Sequence, residues 1–405
     1  INYSAKLFTI SNNGKLEIKD IVKGNDFIIG RLYRYVTLIL GLKPNEHEYK
    51  VMGLAPYCNK DYSKKIYKIF QSFQKVSGIN FRYLKKPKDF YFDVKKKLDG
   101  GRFDTIASAL QLYTENLIIT WIKKLTRKTR VRNICLAGGV SMNVKTNMLI
   151  SKINKNIDLY VPACPDDASQ AMGACFTNFT GKNIKVFENS YLKNIYLGPE
   201  ANKWFTSKKI FLNKSKYKVI KKEFIKKAAK MLFSNKIIAR YAGKAEFGAR
   251  ALGNRSILAN PNNVEIKNKI NEKIKSRDFW MPFAASVPKK YAEKYFYLDN
   301  SLESYKYMTN CVDTTNLGKI KLAAAIHPYD KTCRPQIIEK GENKDYEKLI
   351  LEFGKISGTY ALLNTSFNFH GFPIVNSLNN AINILKKSNL DGLLLNDCLI
   401  IKNET

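Results

Sequence analysis

Gly243-Lys244-Ala245-Glu246-Phe247-Gly248-Ala249-Arg250-Ala251-Leu252-Gly253-Asn254-Arg255-Ser256 is the most telling stretch of the chain. Its glycines stand five residues apart, with Arg250, Arg255 and Ser256 among them. Glycine lets backbone N–H groups approach an anion, and arginine offers a planar fork for phosphate oxygens. This is not a Walker A loop, because Gly248 is followed by Ala-Arg rather than Lys-Ser/Thr. A glycine-rich turn with surface arginines is the plainer alternative. The apolar run Ile237–Tyr241 predicts a strand before the stretch, and the spacing over Val264–Lys275 predicts a helix after it. Working outward, helices are expected at Lys221–Ser234 and Leu378–Ser388. Strands are expected at Tyr360–Leu363 and Gly392–Leu395, with an Asn/Ser/Gly loop over 364–377. Lys275-Ser276-Arg277 closes a helix, Arg334 follows a polar turn, and Asn364-Thr365-Ser366-Phe367-Asn368 follows a buried strand. Ligands of α/β proteins bind at strand ends, and cations and hydroxyls on separate loops suit a triphosphate. Taken singly, each of these residues reads more readily as solvated surface.

The first half carries a second α/β pattern. Val131–Leu136 and Ile157–Val161 read as strands, Asn143–Ile153 and Ala168–Phe179 as helices. Gly138-Gly139 turns just ahead of a helix N-terminus, which can hold a phosphate or a sugar hydroxyl. Asp166-Asp167 precedes the other helix and suits either a metal ligand or an N-cap pair. Upstream, Phe27–Gly41 and Thr105–Arg127 have helical spacing, and lysine-rich residues 63–98 read as an exposed excursion. Lys6–Ile10 and Lys15–Ile18 flank an Asn-Gly turn, a hairpin signal. A chain that begins Ile1-Asn2-Tyr3 and enters a sheet at once is expected to lack an N-terminal segment.

Hydrophobic content of 45% and charged content of 25% exclude a disordered chain, and 405 residues can bury a core without staples. No apolar run reaches the ~20 residues of a membrane span, and no signal peptide opens the chain. Seven cysteines without a CxxC pair make neither a zinc nor a disulfide framework, so a cytoplasmic setting fits. The net charge of +35 raises the alternative of a nonenzymatic nucleic-acid-binding protein. The lysines are dispersed, however, and no nucleic-acid motif accompanies them, so nucleic acid is a less favoured partner.

Five segments in order, Glu48–Tyr57, Leu136–Asn143, Asp167–Gly173, Glu246–Leu258 and Asn364–Asn376, resemble the NodU/CmcH family of O-carbamoyltransferases. The match spans essentially the whole chain. The resemblance implies an α/β protein with a partial actin-like ATPase lobe over residues 1–195, like that of the tRNA threonylcarbamoyladenosine synthase. A YrdC-like domain follows over 196–405. It implies that carbamoyl phosphate and ATP with Mg²⁺ form carbamoyl adenylate in the YrdC-like domain. The actin-like domain then passes the carbamoyl group to a hydroxyl-bearing small molecule or glycan, aided by an iron-type divalent metal. Arg250, Lys275, Arg334 and Ser366 match catalytic positions. Arg255, Arg277, Asn364, Asn368, Gly138, Gly139 and Asn143 match binding positions, and Asp167 matches a metal ligand. Lys275-x-Arg277 and Ser366-x-Asn368 echo the KxR and SxN signatures of YrdC domains. A tRNA threonylcarbamoyladenosine-pathway enzyme is the related alternative. The sequence departs from the pattern at Met281 and Ala249, and it lacks the family's metal-binding histidine pair and acidic Gly loop. The resemblance thus implies a piece of a longer enzyme. Acceptor and oligomeric state are open.

Overall fold

Ile29, Leu32, Tyr33 and Val36 recur at helical spacing, and the chain forms a helix over Ile29–Ile39 that buries all four. The computed structural model describes residues 3–10, 16–23, 26–180, 194–201 and 212–403. They divide into two units, the first taking the described residues up to 160 and 165–180, the second 161–164 and the described residues from 194 onward.

The first unit opens with an antiparallel hairpin, β1 (Tyr3–Ile10) and β2 (Leu16–Lys23), wider than the sequence suggests. Its Asn-Gly turn lies outside the described residues. Residues 63–98 are not the exposed excursion expected. They form helix Lys60–Gln71, hairpin β3 (Gln74–Ser77) and β4 (Asn80–Tyr83), and helix Phe90–Leu98. Phe70, Phe73, Val76, Phe81, Val94 and Leu98 join the core beside helix Phe103–Thr129, while the lysines face outward. Lysine density hid a short-period apolar pattern. Next come β5 (Asn133–Cys135), helix Val144–Ser151 and β6 (Asp158–Tyr160), with β5 and β6 parallel.

The second unit is built on one mixed sheet. In chain order its strands are β7 (Tyr217–Ile220), β8 (Ile238–Tyr241), β9 (Arg255–Ala259) and β10 (Ala284–Pro288). A short side pair follows, β11 (Val312–Asp313) and β12 (Thr332–Cys333). The large sheet then resumes with β13 (Pro335–Ile338), β14 (Leu362–Ser366), β15 (Gly392–Leu394) and β16 (Leu399–Lys402). The eight strands lie in the order β13-β10-β14-β9-β8-β15-β16-β7. Side chains alternate between faces. Ile238, Leu258, Leu362 and Leu394 pack on helices Phe224–Phe233 and Lys344–Ser357. Ala239, Ile257, Leu363 and Leu393 belong to the core on the other face. Asn364–Ser366, expected in a loop, extend β14. The helix expected over Val264–Lys275 is α only over Glu265–Asn268 and π over Lys269–Lys275, closing at Ser276 with φ +47°. Among the described residues no helix is long and apolar enough to cross a membrane.

Phe73 is 1% exposed and packs on Phe90 at 5.1 Å between ring centres. Phe73→Ala is therefore expected to destabilise the first unit by about 3–5 kcal/mol, read by urea unfolding. A cost near zero is what a surface excursion would give.

Candidate active site

Register brings the site of the second unit together. β10 starts beside β13, with Ala285 opposite Pro335, and Ala284 faces Asn364 of the antiparallel β14. Ser366 faces Ser256 of β9, and Arg255 faces Tyr241 at the end of β8. Arg334, Asn364, Ser366 and the loop between β8 and β9 therefore share one end of the sheet.

That loop, residues 242–254, is fastened by its own polar groups. Gly243, Gly248 and Gly253 adopt φ of +52°, +123° and +112°, a region side chains disfavour. Glu246 Oε1 accepts the backbone N–H groups of Leu252 (2.7 Å), Asn254 (2.8 Å) and Arg255 (3.2 Å). The Arg255 guanidinium, 1% exposed, donates to the carbonyls of Ala242 (2.7 Å), Asn254 (3.0 Å) and Pro199 (3.0 Å). It also lies 4.1 Å over the Tyr241 ring. Arg240 Nη1 donates to Gly253 O at 2.9 Å and Asn254 Oδ1 at 2.6 Å. The glycines serve the backbone path, and the amides of 252, 254 and 255 hold a carboxylate of the chain itself. Arg255, expected to bind nucleotide, ties the loop through these carbonyls, keeps a buried Nε without a partner among the described residues and lines the cavity beside the SxN loop. Arg250 is half-buried on this loop.

Below it, Lys275 is 3% exposed. Its Nζ donates to Ser366 O (2.7 Å), Ser366 Oγ (2.8 Å) and Asn368 Oδ1 (2.8 Å), and Ser366 Oγ donates to Asn368 Oδ1 at 2.7 Å. The KxR and SxN residues thus meet. Burial, then the nearby Arg277 charge, holds the Lys275 ammonium well below its ordinary pKa. Arg277 donates from Nε to Asn271 Oδ1 at 2.7 Å and lies 4.7 Å over the Phe283 ring. Met281 is 4% exposed, core rather than anion ligand. Arg334 has its pKa lowered by burial, and its Nε has no partner among the described residues. Burial pushes the neighbouring Cys333 thiol up to about 12, so it brings no countercharge. Neither Lys275 nor Arg334 pairs with a carboxylate among the described residues. Asn364 donates to Ala251 O (3.1 Å) and Ser286 Oγ (3.0 Å), leaving a buried Oδ1 without a partner. A cavity of about 680 Å³ adjoins the SxN loop, walled by Phe247, Phe369, Phe372 and Pro373, with Asn376 and Asn380 at its edge. Glu246, Arg240, Ser286 and Gln336 escape sequence reading. Only Glu246 had a signal, lying inside the glycine stretch.

In the first unit Gly138 has φ +99°, its N–H meets Pro165 O at 2.5 Å, and the Gly138-Gly139 turn is exposed. The Asn143 side chain caps the next helix by accepting Thr146 N–H at 3.0 Å and donates to Gln111 at 2.9 Å, so its side chain serves the core. Asp166 is an N-cap, accepting Ala168 N–H at 3.1 Å. Asp167 is exposed, and among the described residues no set of three His, Cys, Asp or Glu could hold a metal. The implied iron-type site does not fit these residues, and no step is derived through it.

Lys275→Met takes the donor from Ser366 O, Ser366 Oγ and Asn368 Oδ1 and is expected to lower the melting temperature of the second unit by a few degrees. It should also lose anion binding, read by titration with inorganic pyrophosphate.

Residues 2–176 match the family model described as carbamoyltransferase N-terminus, and residues 229–402 the one described as carbamoyltransferase C-terminus. An uncharacterized protein of Methanocaldococcus jannaschii is 33% identical over 98% of this chain and 76% of its own. Nodulation protein NolNO of Sinorhizobium fredii is 29% identical over 92% of this chain and 55% of its own. Nodulation protein U of Rhizobium tropici is 30% identical over 70% and 47%. A solved structure of T. kodakarensis HypF covers 46% of this chain and 23% of its own at 17% identity, with a TM-score of 0.31 that carries no weight for the fold. With both halves matched in order by the two models, and a relative a third identical over 98% of this chain and 76% of its own, the chain belongs to the NodU-type carbamoyltransferase family.

Proposed function

We propose that the second unit, as a YrdC-like domain, forms carbamoyl adenylate, and that the first, as part of an actin-like lobe, serves transfer of its carbamoyl group to a hydroxyl. The observation that carries this reading is the pairing of buried Lys275 with half-buried Arg334, whose Nε is buried, both lacking carboxylate partners among the described residues at the sheet end that also bears the Arg250 loop. Cations withdrawn from water without countercharge suit a polyanionic ligand. Water cleaves carbamoyl phosphate to carbamate and phosphate. A carbamate oxygen then attacks the α-phosphorus of MgATP, the bond to the β-phosphate oxygen breaks, and pyrophosphate leaves. Lys275, with Ser366 and Asn368 fixing its ammonium, and Arg250 and Arg334 stabilise the charge that concentrates on the α-phosphate. Arg277 and Asn364 lend donors to the anions. The apolar cavity beside Asn368 suits the flat purine, with the Asn376 and Asn380 amides reading its edge.

In the first unit the exposed Gly138-Gly139 turn suits the adenylate phosphate. An acceptor hydroxyl attacks the carbamoyl carbon, AMP leaves, and the hydroxyl proton passes to solvent. A polar, sugar-like acceptor is the reading kept from the family. Two family models covering both halves favour this over a tRNA-pathway role.

The test is ATP–pyrophosphate exchange in the presence of carbamoyl phosphate. The chain should support exchange, and Arg250→Ala or Ser366→Ala should lower it about 100-fold. Exchange that ignores carbamoyl phosphate, or survives both substitutions, sinks the reading. Phe372→Ala, at a 66% exposed cavity residue, should raise the KM for ATP about tenfold and leave that for carbamoyl phosphate unchanged.

A further inference from the structure

Three neighbouring strands each place one polar side chain inside the sheet. Ser286 on β10 is 0% exposed, Gln336 on β13 is 3% and Asn364 on β14 is 1%. Ser286 and Gln336 are register partners. The Ser286 hydroxyl donates to Gln336 Oε1 at 2.7 Å, and Asn364 Nδ2 reaches Ser286 Oγ at 3.0 Å and Gln336 Oε1 at 3.2 Å. The outward donors of the trio both end on the loop. Gln336 Nε2 donates to Leu252 O at 2.7 Å, and Asn364 Nδ2 to Ala251 O at 3.1 Å. A carbonyl can only accept, so both amides must present their NH₂ to the loop.

The backbone of Ala251 and Leu252, the two residues after Arg250, is thus gripped from several sides. Both carbonyls are held from the sheet, and Leu252 O also accepts the Tyr196 hydroxyl at 2.9 Å. Leu252 N–H is held by Glu246 at 2.7 Å. An apolar trio of the same volume would hold the sheet about as well, because replacing mutually bonded polar partners together is nearly neutral. A buried polar trio whose donors all find acceptors instead specifies one arrangement of what it touches, with Asn364 Oδ1 its one atom lacking a partner. Here that is the backbone next to Arg250.

We propose that Gln336, with Ser286 and Asn364 as its frame, is a positioning residue that sets the backbone next to Arg250 for the adenylation step. This rests on the reading of Arg250 as an adenylation residue. Gln336 need not touch substrate. It acts through the Leu252 carbonyl, two residues from the arginine.

Gln336→Leu removes the donor, and Gln336→Glu is the near-isosteric control. In the latter, a buried carboxyl has its pKa raised. Protonated, it can donate to Leu252 O again; ionised, it sets an anion against that carbonyl. The first readout is deuterium uptake by peptides spanning residues 247–255, which needs no activity. Uptake should rise in Gln336→Leu. In Gln336→Glu, corrected for the intrinsic pH dependence of exchange, it should rise with pH and return to the wild-type level as pH falls. Unchanged uptake in both variants overturns the proposal.

The second readout is carbamoyl-phosphate-dependent exchange. Gln336→Leu should lower kcat about 100-fold with the KM for ATP little changed. Gln336→Glu should recover kcat as pH falls relative to wild type at each pH. In an Arg250→Ala background, Gln336→Leu should cost nothing further, the non-additivity of residues acting in one chain. Full additivity, or a pH-independent loss in Gln336→Glu, overturns the proposal. A wild-type chain without exchange sinks the adenylation reading instead. The uptake arm then still decides whether Gln336 orders the loop.

Discussion

A carboxylate enclosed by the amides of its own loop, with a guanidinium beneath it on the loop's carbonyls, is the constraint on which the second unit depends. Residues 242–254 must leave β8 and return to β9 beside it, since Tyr241 and Arg255 are partners. A connection of that length has many conformations available. Glu246 and Arg255 satisfy its buried N–H and C=O groups from within, so the path is fixed without regular structure. The loop is then a rigid mount at the end of the sheet, and it carries the half-buried Arg250 there.

The cations at this end of the sheet are alike in being desolvated and differ in where their N–H groups end. Arg240 and Arg255 end on oxygen atoms of the loop, Lys275 on those of Ser366 and Asn368, and Arg334 keeps an Nε without a partner among the described residues. Composition and motif could not separate them; only the acceptor atoms do.

Much of the frame was legible. Ile237–Tyr241, Leu378–Ser388 and the Phe27–Gly41 helix were visible because one period dominates each window. β9, β10 and β13 were not. Arg255–Ala259 begins with a charged residue, Ala284–Pro288 is built of small residues with a terminal proline, and Pro335–Ile338 opens with one. Their strand character comes from being covered on both faces, which only the assembled sheet supplies. The site was legible as a set of loops, and two short signatures marked Lys275, Ser366 and Asn368, but that these residues meet is seen only in the assembled fold. Gln336 was invisible, a lone amide in an apolar tetrapeptide whose partners lie 50 and 28 residues away. In the first unit, Asn143 carried a family motif, and the structure gives its side chain to a helix cap and the core.

The π segment Lys269–Lys275 gives this chain a place to absorb a change of length. A π turn holds one residue more than an α turn. Deleting one residue there and relaxing to α geometry nearly conserves the rotation along the segment, whereas a deletion inside an α-helix turns everything after it by about 100°. Lys275 would then still face Ser366 and Asn368, on a helix that had become more regular. Length in this segment is therefore uncoupled from the direction of the lysine that ends it.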